Sequence, residues 1–367
     1  MKLKVVLKNR KILWFIAAGL FILISLILGF ITLKKPQTKI SNIDSVPINN
    51  QADTNTPQEI ATTSAFPKDN KSMGILLLGY GGPGHDGGYL TDAIQLLYFD
   101  FINGKLNLIS IPRDLWVKVP NNGETKINTV FVSGAKNNTG TQIAKQVVSE
   151  ITGLPINYVI AVDFVGFQKT IGESLKGIDV EVEETLDDPW YPIKGEEQNL
   201  CGNTPEEVTK LTKELSGFEL EKQFVCRYEH LHFEKGLNKM QGGEALKYVR
   251  SRHGSSEGDV SRGKRQQEVM LGIAKKLFSI NALDDINGFF KTVSKNIQTD
   301  LNPQIIEFFS PGLKKANSFK ISRINLSASN VLSTTTSSDR QAIFTPKEGQ
   351  FNWSGIQKYI KEEINKN

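Results

Sequence analysis

Cysteine and histidine are scarce in this sequence, which has two cysteines and four histidines among 367 residues. No Cys/His spacing typical of a zinc site occurs, and the four histidines form no metal signature. His230-Leu231-His232 alternates as a strand does, so we interpret these two histidines as structural. Internal repeats are also absent, which argues against a repeat architecture.

A basic excess is missing from most of the chain, although its net charge is +5. Seven of the 44 lysines and arginines precede residue 36, and no acidic residue accompanies them. The 37 basic residues that remain are outnumbered by the 39 acidic residues. A nucleic-acid-binding domain usually keeps its basic excess on the folded part, so we expect no nucleic-acid partner.

Charge is absent from residues 12–33, a run of 22 residues long enough to cross a bilayer as a helix. A cleaved signal peptide is the alternative, but its apolar stretch is usually only about 7 to 15 residues long. We predict an uncleaved transmembrane signal anchor that contacts the lipid bilayer. Five basic residues lie in the tail 1–11, so this tail is predicted to be cytoplasmic and the rest extracytoplasmic. The expected location is the cell membrane, with a single pass.

Residues 34–72 contain few apolar side chains and cannot offset the entropy cost of ordering, so we predict a flexible linker there. Beyond it, apolar runs at 75–78 and 94–99 and the stretch KLNLISIPRDLWVKV predict strands. TQIAKQVVSEITGL has helical spacing, and NYVIAVDFVGFQKTIGESLKGIDVEV reads as strand, helix and strand. This alternation predicts an α/β fold, an α-β-α sandwich around a central mixed sheet, within one domain over 73–367.

The two cysteines, Cys201 and Cys226, lie in a polar segment at about 185–232 that interrupts the domain. Outside the cytoplasm an isolated pair in one segment is a disulfide candidate. Two free thiols are the alternative, and the predicted compartment favours the bridge.

Arginines crowd the stretch YVRSRHGSSEGDVSRGKRQQ, residues 248–267. Arg250 and Arg252 alternate by two, which in an extended segment places both on one face. Ser251 then points the opposite way, so Ser251→Ala is expected to be nearly silent. Guanidinium groups suit phosphate oxygens because their planar donors bind two oxygens at once. A solvated basic face and a nucleic-acid patch are the alternatives at this point.

The second half of the stretch presents polar side chains on one helical face, namely Arg262, Arg265 and Gln266. Asp259, in the connection, is placed to orient an arginine or ligate a metal. Asp86 and Asp92 in the Gly-rich loop form a second candidate cluster with Arg113, which follows Ser-Ile-Pro. Carboxylates beside phosphate-binding arginines are what Mg²⁺ needs to bridge a protein and a pyrophosphate.

Three motifs in this order and spacing, SIPRD, KIN and YVRSR…D…R..RQQ, resemble those of the LytR-CpsA-Psr proteins over about residues 73–280. The resemblance implies a cell-envelope phosphotransferase that moves a glycopolymer from a polyprenyl-pyrophosphate carrier onto peptidoglycan. Two alternatives use the same site. One is a polyprenyl-pyrophosphate-glycan phosphatase with water as the acceptor, and the other is a non-catalytic envelope protein that binds lipid-linked glycans.

The resemblance also implies roles for single residues. Asp92 matches an acid that ligates Mg²⁺ or activates the incoming hydroxyl, and Asp259 matches an acid before the second arginine pair. The family writes its first acidic motif as Gly-Ser-Asp, and here Asp86 substitutes as the first metal ligand. Mg²⁺ is the expected cofactor, with Mn²⁺ as an alternative. The expected pyrophosphate ligands are Arg113, Arg250, Arg252, Arg262, Arg265 and Gln266, of which the first three are also expected to be catalytic together with Asp92 and Asp259.

Overall fold

The computed structural model describes residues 69–85, 87–120, 123–134, 139–255, 258–279, 297–300 and 319–366. The predicted anchor at 12–33, most of the predicted linker and Asp86 lie outside the described residues. Within the described ranges, no helix combines the length and the apolar character needed to span a bilayer.

The described part of the chain alternates strands and helices. In chain order the strands are β1 Ser72–Tyr80, β2 Thr91–Asp100, β3 Lys105–Ser110, β4 Trp116–Val119, β5 Gly123–Lys126, β6 Tyr158–Asp163, β7 Ile178–Val182, β8 Leu186–Pro192, β9 Tyr228–Phe233, β10 Gly236–Met240, β11 Ile297–Thr299, β12 Lys320–Asn325, β13 Leu332–Thr336 and β14 Ala342–Pro346. The helices are α1 Val130–Ser133, α2 Gly140–Thr152, α3 Phe164–Lys169, which continues into a π-helical turn at Thr170–Ser174, α4 Pro205–Glu214, α5 Phe218–Glu221, α6 Gly242–Arg250, α7 Asp259–Ser279 and α8 Ser354–Asn365.

Six strands form the central sheet in the order β11-β6-β1-β2-β3-β12. β1 pairs with β6 and β3 pairs with β12 in parallel, whereas the other neighbours are antiparallel. The predicted central mixed sheet is therefore confirmed. The carboxyl ends of β1, β3, β6 and β12 meet at one edge, because these strands all run in the same direction.

Helices cover the two faces of this sheet. On one face α2 and α8 contribute Val147, Ile151 and Ile360 to a continuous apolar cluster with Leu76 and other strand residues. On the other face α7 packs on β7 and β12. These layers account for the α-β-α arrangement, and the i, i+4 spacing of apolar residues in α2 explains why its sequence predicted a helix.

A second apolar cluster lies beside the sheet, where β7, β9, β10, α6 and α7 meet around the buried Tyr248. The segment between β8 and β9 contains α4 and α5, and a disulfide joins Cys201 to Cys226, the pairing that the sequence favoured. Together β8 and β9 form an antiparallel hairpin that carries this insertion.

The prediction of an extended segment leading into Arg250 and Arg252 is wrong. Residues 242–250 form α6, which begins with a capping box between Gln241 and Glu244 and ends at Arg250. Alanine, leucine and lysine in this stretch are good helix formers, and they outweigh the alternation by two that the arginines suggested. Arg250 and Arg252 therefore do not share the face of a strand.

Candidate functional site

The candidate site lies at the sheet edge where the carboxyl ends of four strands meet. The Gly-rich loop connects β1 to β2 there, and the SIPRD motif follows β3. The first turns of α7 lie at the same edge, because a Cβ added to Gly263 would lie 2.6 Å from the Oγ of Ser110. Ligands of open α/β sheets bind outside the carboxyl ends of the strands, so this edge is where a site is expected.

Asp92 and Arg113 are in direct contact at this edge. Arg113 Nη1 donates to Asp92 Oδ1 at 2.5 Å, and the two side chains are 22% and 37% exposed, respectively. Asp114 lies 3.5 Å from Arg113 Nε and accepts a hydrogen bond from Lys126 Nζ at 2.7 Å. The SIPRD and KIN motifs are thus joined by charged side chains, which fixes the position of the Arg113 guanidinium while leaving part of it accessible.

Arg250, at the end of α6, lies beside Phe164, which in turn packs on the Gly-rich loop. Its guanidinium carbon lies 4.6 Å from the ring centre of Phe164, a cation–π contact. Phe164 also contacts His85 of the Gly-rich loop, at 5.4 Å between ring centres. Arg250 also lies near Tyr191, where its positive charge acts to lower the pKa of the Tyr191 hydroxyl. Arg250 is exposed overall, so its donors can reach a ligand at this edge.

The α7 residues predicted as ligands take different positions. Arg265 is buried and donates to the carbonyl oxygens of Tyr248 and Ser251, at 3.0 and 2.6 Å. Arg262 is also buried, and Gln266 accepts a hydrogen bond from Gln95 Nε2 at 2.9 Å. The geometry of Arg265 is that of a residue that holds the end of α6, which differs from its predicted role as a pyrophosphate ligand.

The remaining predicted residues are less fully described. Asp259 is the first residue of α7, and Asp86 lies outside the described residues. Arg252 is exposed in the connection between α6 and α7. The structure therefore brings Asp92 and Arg113 into contact and places Arg250 beside the same loop. The roles of all these residues in binding or catalysis stay predictions.

Ser251 is buried and hydrogen-bonded at the end of α6, whereas an extended segment was predicted to leave its hydroxyl with little effect. Its hydroxyl donates to Asp188 Oδ2 at 2.6 Å, and both residues are 1% exposed. Asp188 also accepts from the backbone N–H groups of Trp190 and His253, at 3.0 and 3.3 Å. The β8–β9 hairpin thereby anchors the connection that carries Arg252.

Burial shifts several pKa values around this connection. Burial raises the pKa of Tyr191, against an opposing effect of Arg250, so its hydroxyl stays protonated and polar beside the arginine. Burial lowers the pKa of Arg265. Burial also raises the pKa of Glu268, whose carboxyl group accepts a hydrogen bond from the Tyr248 hydroxyl at 2.5 Å. Arg265 bonds to the end of α6 and Tyr191 lies near Arg250, so these two buried groups adjoin the segment that carries the exposed arginines.

Sequence reasoning missed Phe164, Tyr191 and Asp188. Phe164 directly follows the carboxyl end of β6, and that position was a signal that could have been used. Tyr191 and Asp188 lie in β8, about 60 residues before the segment 250–253 that they adjoin, and no local pattern links the two segments.

A cavity of about 350 Å³ adjoins the SIPRD loop at the same edge. Its lining includes Pro112, Val260, Leu326 and Phe344 together with the polar Ser110 and Asn325. The site therefore combines a charged part and a largely apolar recess.

Fold and site together define an α/β protein with charged side chains clustered at the carboxyl edge of its sheet, the edge at which open α/β sheets bind their ligands. A family model, the LytR_cpsA_psr family, matches residues 38–350. The chain therefore belongs to the LytR_cpsA_psr family, as the sequence motifs predicted.

Named relatives are similar over part of the chain. The regulatory protein MsrR of Staphylococcus aureus is 27% identical over 217 residues, 59% of this chain and 52% of MsrR, so the chain spans about half the length of that relative. The polyisoprenyl-teichoic acid–peptidoglycan teichoic acid transferase TagU of Bacillus cereus is 27% identical over 256 residues, 70% of this chain and 67% of TagU.

Solved structures share the fold. Protein gbs0355 from Streptococcus agalactiae matches with a TM-score of 0.56 and 22% identity, over 81% of this chain and 89% of that one. A structure of TagT bound to LIIa-WTA matches with a TM-score of 0.52 and 23% identity, over 80% of this chain and 90% of that one.

Proposed function

We propose that this protein is a phosphotransferase that moves a glycopolymer from a polyprenyl-pyrophosphate carrier onto peptidoglycan. The observation that carries the proposal is the contact of Arg113 with Asp92 at the carboxyl edge of the sheet, with Arg250 beside Phe164, the residue that follows β6 at the same edge. Guanidinium groups suit the oxygens of a pyrophosphate, and an acid beside them suits an attacking hydroxyl. The names of relatives, which include teichoic acid transferases acting on polyisoprenyl-linked substrates, support the same class of reaction.

In the proposed reaction, a hydroxyl oxygen of peptidoglycan attacks the phosphorus that is linked to the glycan. The bond from this phosphorus to the bridging oxygen breaks, and polyprenyl phosphate leaves with that bond's electron pair. The product is a phosphodiester between the glycan and peptidoglycan. Arg113 and Arg250 stabilise the negative charge that grows on the leaving phosphate, while the hydroxyl proton passes to a carboxylate or a water molecule within hydrogen-bond reach.

Magnesium fits this site as a proposed cofactor. Asp92 uses Oδ1 in its contact with Arg113, which leaves its second carboxylate oxygen for a metal. Mg²⁺ is usually bound by one or two carboxylates together with substrate phosphates and water, so a single described carboxylate suffices. The ion would neutralise charge on the pyrophosphate oxygens.

The apolar recess beside Pro112 and Leu326 is proposed to receive the first part of the lipid next to the pyrophosphate. The predicted anchor at 12–33 would keep this edge near the bilayer that contains the carrier. We propose that the domain lies outside the cytoplasm, where peptidoglycan is found. The disulfide between Cys201 and Cys226 supports this location, because disulfides persist in oxidising compartments.

Release of polyprenyl phosphate from a polyprenyl-pyrophosphate glycan tests the proposal. The purified full chain is expected to release it only when peptidoglycan fragments are present, and chelation of Mg²⁺ should stop the release. Release without an acceptor, accompanied by free glycan phosphate, would identify a phosphatase instead. Tight binding of the carrier with no release would identify a non-catalytic binding protein.

A further inference from the structure

Three polar side chains converge on the exposed face of the β8–β9 hairpin. Asp187 in β8 lies directly opposite His232 in β9, and His230 lies two residues before His232 on the same face of that strand. The carboxylate and the two imidazoles are 43 and 45 residues apart in sequence. Only the register of the hairpin brings them together.

Their ligand atoms are close enough to share an ion. Asp187 Oδ1 lies 2.6 Å from His230 Nε2 and 2.9 Å from His232 Nδ1, and the ligand atoms of the three residues lie within 4.8 Å of one another. The side chains are 42% to 59% exposed, so an ion in solution can reach them.

A fourth residue, Glu234, holds the outer side of one imidazole. Its Oε1 lies 3.0 Å from His232 Nε2, the ring nitrogen that does not face Asp187. In metal sites a ligating histidine almost always donates a hydrogen bond from the N–H of its other ring nitrogen to a carboxylate or carbonyl oxygen, which fixes the tautomer and the ring orientation. The Glu234 contact provides this arrangement and is independent of the contacts among the three candidate ligands.

We propose that Asp187, His230 and His232 form a binding site for one divalent transition-metal ion, with Zn²⁺ as the best fit. Two imidazole nitrogens and one carboxylate oxygen are a common zinc ligand set, with water in the fourth position. Imidazole does not suit Mg²⁺, which prefers oxygen ligands. This site is therefore chemically distinct from the magnesium site proposed at Asp92.

Little rearrangement is needed for the ion to enter. Ligand atoms of a tetrahedral zinc site lie about 3.3 Å apart, given zinc–nitrogen distances of roughly 2.0–2.1 Å. The contacts of 2.6 and 2.9 Å therefore open by less than about 1 Å. Exposed side chains on neighbouring strands make such a change by rotation alone.

Metal binding here would cross-link the two strands of the hairpin. The residue after Asp187 is Asp188, which anchors the connection that carries Arg252. An ion at this position would therefore stiffen the strand that supports the arginine connection. We expect zinc to raise the melting temperature of the protein, since a ligand that binds only the folded state stabilises it.

Calorimetric titration of the EDTA-treated full chain with ZnCl₂, in the presence of excess MgCl₂, tests the proposal. We expect one zinc ion per chain, and a rise in melting temperature on zinc addition. His230→Gln and His232→Gln should each weaken this binding at least about 100-fold, and Glu234→Gln should weaken it roughly 10- to 100-fold. His253→Gln, a matched change of a histidine stacked on Phe218, should leave zinc binding unchanged.

Zinc binding of unchanged affinity in both His230→Gln and His232→Gln would overturn the proposal, as would displacement of zinc by MgCl₂. Absence of binding by the unsubstituted chain would do so too. The melting temperature without zinc shows that each variant is folded, so that lost binding is not mistaken for lost structure. Because the readout is binding, the test does not depend on the transferase proposal, and zinc should bind equally well in an Asp92→Asn background.

Discussion

Ser251→Ala is the substitution for which sequence and structure give opposite expectations. An extended segment would make it nearly silent, whereas the structure buries the hydroxyl against the carboxylate of Asp188. Removing the hydroxyl leaves Asp188 with two backbone donors, the N–H groups of Trp190 and His253, both at longer distances. A buried carboxylate that loses its shortest donor is the physical basis of the expected destabilisation.

The magnitude follows from the charge of the acceptor. Hydrogen bonds to charged groups contribute roughly 1.5–3 kcal/mol, and the alanine variant should lose about that much free energy of unfolding. At about 2.1 cal/mol/K of unfolding entropy per residue, each kcal/mol lowers the melting temperature of a domain spanning 73–367 by roughly 1.6 °C. The expected decrease is therefore about 2–5 °C.

Thermal and urea denaturation of the Ser251→Ala chain measure this loss. Ser337→Ala is the matched control, because Ser337 also donates to a carboxylate, that of Asp339, but at an exposed position. It should change stability by less than about 0.5 kcal/mol. Equal free energies of unfolding for the two variants would refute the reasoning. The Ser251 hydroxyl would then contribute little to stability, as an extended segment predicted.

Three further predictions concern the same region. Arg250→Ala should lower the affinity for a pyrophosphate carrier about 10- to 100-fold. Arg250→Lys should restore only part of that affinity, since an ammonium group lacks the two-pronged fork of a guanidinium group. A lysine variant that binds the carrier as tightly as the unsubstituted chain would contradict this. Gly254→Ala should lower the free energy of unfolding, measured by urea denaturation, by at least about 1–3 kcal/mol. The reason is that residue 254 has a φ of +75° and a new Cβ would lie 2.1 Å from the carbonyl oxygen of Asp187. An unchanged free energy of unfolding would exclude this backbone geometry. The disulfide closes a sequence separation of 25 residues, so the double replacement of Cys201 and Cys226 by serine should cost at most about 3.5 kcal/mol; an intact mass unaffected by reductant would show two free thiols instead.

Much of the fold could be predicted from local sequence patterns. The apolar runs of β1, β2 and β6 are buried in the central sheet, and the spacing of Val147 and Ile151 reflects one buried face of α2. These signals are local because burial of a strand or a helix face constrains neighbouring residues directly.

Features that depend on distant contacts could not be predicted in this way. Asp188 is 63 residues from Ser251, and Arg265 contacts the end of α6 through backbone carbonyl groups that no side-chain pattern shows. The alternation of Arg250 and Arg252 is compatible with a strand, but the capping box and the good helix formers before Arg250 favour a helix. Where a short stretch of sequence fits both the two-residue period of a strand and the 3.6-residue period of a helix, tertiary packing determines which of the two forms.

The pairing of Asp92 with Arg113 could be predicted only in part from the sequence. The sequence motifs predict both as site residues, but the direct contact between them depends on β2 lying next to β3 in the sheet. That adjacency follows from the fold and not from the spacing of the two residues. The same holds for Arg250, whose contact with Phe164 depends on where α6 ends.

The most direct test of the proposed function is the mass of the peptidoglycan product. Fragments incubated with the full chain, Mg²⁺ and a polyprenyl-pyrophosphate glycan should gain the mass of the glycan plus one phosphate, joined through a phosphodiester. The Arg250→Ala chain should form this product far more slowly. Consumption of the carrier with unmodified fragments and free glycan phosphate would contradict the transfer reaction, and so would fragments that carry glycan without phosphate.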